Sequence, residues 1–87
     1  MNGKLGGKVK MAEFRLWGRV EFLGATEFSA TATAVPENGD PSEVRSLTQT
    51  LPSREAAGEA LERLMARMDA IVREAGGIVT QTQVESG

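Results

Sequence analysis

The stretch Glu13-Phe-Arg-Leu-Trp-Gly-Arg-Val-Glu-Phe-Leu23 decides how this 87-residue chain folds. Phe14, Leu16, Gly18, Val20 and Phe22 occupy every second position, with Glu13, Arg15, Trp17, Arg19, Glu21 and Leu23 between them. A period of two over eleven residues is that of a strand with one face buried and one open. The next segment, Glu27 to Val35, alternates again: Phe28, Ala30, Ala32 and Ala34 on one side, Glu27, Ser29, Thr31, Thr33 and Val35 on the other. The two strands form a hairpin whose register follows from their faces, because a slip of one residue would set Phe22 opposite Glu27. A three-residue loop, Gly24-Ala25-Thr26, avoids this and pairs Leu23 with Glu27, Phe22 with Phe28, Val20 with Ala30, Gly18 with Ala32 and Leu16 with Ala34.

Outward from the hairpin, residues 36–43 (PENGDPSE) collect turn formers and read as a surface loop. Val44 to Leu51 is a weaker strand. Pairing Val44 with Val35 sends Leu47 and Leu51 to the core side, and Val44, Ser46, Thr48 and Thr50 to the polar side. Arg45 and Gln49 then fall on the core side, which suits an edge strand whose long side chains reach water. Ser53 is an N-cap for a helix from Arg54 to Ala75, with Ala57, Ala60, Leu61, Leu64, Met65, Met68, Ile71 and Val72 at three- and four-residue spacing. This stripe is expected to be core, since one helix on a sheet must bury its apolar face. Gly76-Gly77 ends the helix, and Ile78 to Glu85 is a last strand.

The expected fold is therefore α+β with the order β-β-β-α-β. A right-handed crossover through the helix lays the last strand parallel to the first, in a mostly antiparallel four-stranded sheet of order 3-2-1-4 with the helix on one face. The small residues Gly18, Ala30, Ala32 and Ala34 form a notch that lets the helix approach closely.

Composition narrows the chemistry. The chain has no cysteine, histidine or tyrosine, so it lacks a thiolate nucleophile, the commonest general base and the commonest transition-metal ligand. All three lysines, Lys4, Lys8 and Lys10, lie in the first ten residues, which read as a flexible arm before a single domain at 11–87. Beyond the arm, seven arginines face twelve carboxylates, a poor balance for binding a phosphate backbone. No apolar run is long enough to span a membrane and no export signal is visible, so the cytoplasm is the expected location. A chain of this size buries only about 60% of the surface its unfolded form exposes, so association is a natural source of extra stability.

Three strands, a helix and a parallel fourth strand are similar in order to the opening half of the ribonuclease-H fold and to small antitoxin domains that keep only that half. Ribonuclease-H enzymes hold two magnesium ions with carboxylates on the first strand, the helix and the fourth strand. The resemblance would place them at Glu13 or Glu21, Glu59 or Glu62, and Glu85, but the strand glutamates point away from the helix side and read as solvated. The loop oxygens of Glu37, Asn38, Asp40 and Glu43 match no calcium-loop spacing and read as turn chemistry. No catalytic residue, metal or cofactor is expected.

Trp17 is the exception to the pattern: the only tryptophan, on the polar face of a central strand between Arg15 and Arg19. One reading stacks it with a neighbouring arginine. A second makes Arg15, Trp17, Arg19, Thr31, Thr33, Val35 and Val44 an interaction surface, for a protein partner or a second copy, of a non-enzymatic module that self-associates as a homodimer through the open face or an edge strand. A third makes it a nucleic-acid-binding or antitoxin-like regulator using Arg15, Trp17 and Arg19. Nucleic acid is the weaker partner, because sheet binders of single strands offer two or three aromatics in a positive field.

Overall fold

A computed structural model describes residues 12–39 and 41–86. The proposed arm at 1–10 lies outside the described residues. Strand β1 (Ala12–Gly24) and β2 (Glu27–Pro36) form the hairpin, a 3-10 turn spans Pro41–Glu43, and β3 (Arg45–Leu51) follows. Helix α1 (Arg54–Glu74) then leads into β4 (Gly77–Ser86). The sheet order is β3-β2-β1-β4, with β1–β2 and β2–β3 antiparallel and β1–β4 parallel. This is the α+β arrangement that the alternating pattern and the crossover rule lead to.

The register agrees from Phe22 inward: Phe22 faces Phe28, Val20 faces Ala30, Gly18 faces Ala32 and Leu16 faces Ala34. At the tip it differs. Gly24, not Leu23, faces Glu27, so Ala25-Thr26 is a two-residue turn and Leu23 is the extra residue of a bulge. The bulge absorbs one residue without exchanging the faces behind it. Between β2 and β3 the pairs run from Ala34–Arg45 to Phe28–Leu51, and Val44 lies just outside the strand.

The core lies between the helix and one sheet face. Phe14, Leu16, Ala32 and Ala34 pack with Met68 and Val72, and Val20, Phe28 and Ala30 pack with Ala57, Ala60 and Leu61. Ala30, Ala32, Ala34, Ala57 and Ala60 are completely buried, so small residues face each other across much of the contact. At Gly18 the approach is closest: a Cβ there would lie 2.9 Å from Met65 Sδ and 3.2 Å from Leu61 Cδ1. The Ser53 side chain accepts the Ala56 N–H at 3.1 Å, capping the helix start. Gly76, at φ 88°, takes the left-handed conformation that ends it.

Along β4 the pairing with β1 shifts between Val79 and Gln81, leaving Thr80 as an extra residue. The shift exchanges the faces of β4 along its length. Val79 joins the core, whereas beyond Thr80 it is Val84 that shares a register position with Gly18. Gln81, Gln83 and Glu85 thereby stand beside Arg15, Trp17 and Arg19 on the open side.

Candidate functional site

The sheet face away from the helix carries the residues singled out in the sequence. Arg15, Trp17 and Arg19 are exposed on β1, with Trp17 45% accessible near the middle of the strand. Thr31, Thr33 and Val35 are half-buried on β2, and Val44 is exposed at the entry to β3. Trp17 faces Thr33 on one side and Gln83 on the other. It stands between two shallow grooves, of about 420 Å³ toward β4 and 330 Å³ toward β2. The sequence reading takes Ile78 to Glu85 as a strand without assigning its faces, so the contribution of Gln81 and Gln83 emerges only with the bulge at Thr80.

The arginines beside Trp17 do not stack on it. Arg15 Nε lies 3.8 Å from Glu37 Oε1, and Arg19 Nη2 lies 3.5 Å from Glu85 Oε1. Among the described residues the cation–π contact is instead Arg54 over the ring of Phe28, at 5.4 Å. Both ion pairs are well exposed and add little to stability. Their consequence is electrostatic: each positive charge next to Trp17 is matched by a carboxylate within a few ångströms.

Glu37 does more than neutralise Arg15. Its N–H donates to Glu13 O at 2.8 Å, and its carboxylate accepts the Thr80 hydroxyl at 2.6 Å. The same hydroxyl lies 3.3 Å from Phe14 O. One loop residue thus ties the end of β2 to β1 and to the bulge of β4. Toward the other edge the hydroxyls pair across strands, Thr31 with Thr48 at 3.2 Å and Thr33 with Ser46 at 3.1 Å.

The carboxylates that the ribonuclease-H resemblance pointed to are not brought together. Glu21 faces Ser29 on the open side, Glu85 is engaged by Arg19, and Glu59 and Glu62 are exposed on the helix beyond the sheet. Among the described residues no three acidic, histidine or cysteine side chains group to hold a metal ion. Among the same residues no helix is long and apolar enough to cross a membrane. Compared with protein-family models, curated proteins and solved structures, the chain matches none.

Proposed function

We propose that the protein is a non-enzymatic interaction module that self-associates in a reducing compartment such as the cytoplasm, its open sheet face docking against the same face of a second copy. The observation that carries this reading is Trp17, nearly half exposed between two arginines whose charges are matched by Glu37 and Glu85. A tryptophan side chain offers on the order of 250 Å². Covering the exposed part of Trp17 is therefore worth about 2–3 kcal/mol of apolar burial.

Charge favours a second copy over nucleic acid. A two-fold interface sets a patch against itself, so an unbalanced patch repels its own image. Arg15 with Glu37 and Arg19 with Glu85 cancel locally, which lowers that repulsion, leaving Glu21 as the uncancelled charge of the groove toward β2, and removes the positive field that a phosphate backbone needs. Four strands spaced about 4.8 Å apart, covered along about seven residues, give an interface on the order of 1,000–1,200 Å² in total, at the low end for specific complexes.

The test is the solution mass of wild type beside Trp17→Ala, measured by sedimentation at high micromolar concentration. An assembly whose mass halves on substitution, from dimer to monomer or from tetramer to dimer, supports the reading. A monomeric wild type, or an assembly whose mass is indifferent to Trp17, removes it.

A further inference from the structure

The two edges of the sheet differ. Strand β4 is interrupted by the Thr80 bulge, whose hydroxyl is held by Glu37, and it carries Glu85 near its end. Bulges and charges are the usual guards of a sheet edge. Strand β3 has neither from Ser46 to Leu51: its pairing with β2 runs without a shift from Arg45 to Leu51, and those six residues contain no charge and no proline. One side of this strand pairs with β2, and on the other no strand pairs with it among the described residues.

The sequence of that edge reads the same in both directions. Leu47-Thr48-Gln49-Thr50-Leu51 is a palindrome centred on Gln49. Two antiparallel copies related by a two-fold axis at Gln49 place Leu47 opposite Leu51 of the second copy, Thr48 opposite Thr50, and Gln49 opposite itself. Every pair then matches in kind and in face. Leu47 and Leu51, half-buried at the margin of the core, would extend it across the junction. Thr48 and Thr50 would extend the hydroxyl rows of the open face. The exposed Gln49 amides can bond to each other. The two Arg45 side chains end up on the order of 25 Å apart and do not repel.

We infer that two copies of the chain join edge to edge through β3, antiparallel about Gln49, forming a continuous eight-stranded sheet. The axis is perpendicular to the sheet, so both helices lie on one side and both Trp17 faces on the other. This junction leaves the open face free and shares with the proposed function only the premise of self-association. If both interfaces form and their axes intersect, the assembly closes as a tetramer of paired sheets.

The experiment uses the full chain with Trp17→Ala to remove the face, then adds Gln49→Lys or Gln49→Glu. Gln49 is exposed in the single chain, so either substitution is expected to leave the circular dichroism spectrum unchanged. Sedimentation should show a dimer for Trp17→Ala. Adding either charge at position 49 should weaken dimerisation by about five-fold or more, because like charges meet on the axis. Mixing the Lys and Glu variants should restore dimers, seen by native mass spectrometry as the mixed species. A monomeric Trp17→Ala protein overturns the inference while supporting the face reading. A Trp17→Ala dimer indifferent to charge at 49, or a charged pair whose mixture stays monomeric, also overturns it.

Discussion

Gly18→Val should strain the seating of the helix on the sheet, and the distances show where the strain falls. One methyl at position 18 already meets Met65 Sδ at 2.9 Å and the Leu61 methyls at 3.2 and 3.3 Å. Ordinary carbon contacts begin near 3.5 Å. The Met65 thioether is the flexible end of its side chain and can retreat by a few tenths of an ångström. Gly18→Ala also lowers the entropy of the unfolded chain, a gain of about 0.5–1 kcal/mol. These terms nearly cancel, so Gly18→Ala should lie within about 1 kcal/mol of wild type. Valine brings two further carbons on a stiff χ1 into the same gap, and overpacking of this kind costs about 1–3 kcal/mol.

The decisive measurement is a double-mutant cycle with Met65→Ala, by urea unfolding at one fixed protein concentration. Met65 is half-buried, so its truncation alone should cost about 1–2 kcal/mol, below the range for a fully buried methionine. If valine's penalty is a collision with Met65, the vacated space relieves it and the double variant should be at least about 1 kcal/mol more stable than the sum of the singles. Additive losses would falsify the close-approach account of Gly18.

Three other outcomes are expected. Ser53→Ala removes the side-chain acceptor at the start of α1 and should lower stability by about 1 kcal/mol, visible as a fall in Tm; an unchanged Tm would mean that the Ala56 N–H is served equally well by water. Thr80→Val removes the hydroxyl that joins the β4 bulge to Glu37 and Phe14 and should cost about 1 kcal/mol in urea unfolding, whereas a neutral result would make the tether dispensable. Glu37→Gln combined with Glu85→Gln unmasks Arg15 and Arg19; a single-stranded oligonucleotide should then quench Trp17 at low salt in the double variant alone. Quenching of the wild type would refute the neutralisation argument.

The fold was readable because both strands of the hairpin keep a strict period of two, and only one set of faces pairs Phe with Phe and Gly18 with Ala32. The bulge at Leu23 was not readable. A three-residue loop and a two-residue turn with one bulged residue both keep Phe22 opposite Phe28, so the faces cannot distinguish them. In β4 the signal is a spacing: Val79 and Val84 are five residues apart, and an unbroken strand would send them to opposite faces. A single extra residue returns Val84 to the side of Gly18, and Thr80 is that residue. The part played by Glu37 lies beyond such reasoning, since a loop carboxylate acquires it only when β1, β2 and β4 converge.

That convergence bears on whether the open face can be dried. Burying a hydroxyl without a partner costs about 1–3 kcal/mol, so two or three such groups would consume what covering Trp17 returns. Here Thr31 with Thr48 and Thr33 with Ser46 each share one hydrogen bond within the chain, and the two arginines nearest Trp17 are each beside a carboxylate. A second surface laid on this face therefore need not replace water at every polar atom. Other exposed apolar side chains lack this preparation: Phe22 is edge-on to Phe28 at the hairpin end and Val84 stands on an edge strand. Trp17 sits near the middle of an interior strand with the two arginines beside it already engaged by carboxylates, which leaves its apolar area available to hold two molecules together.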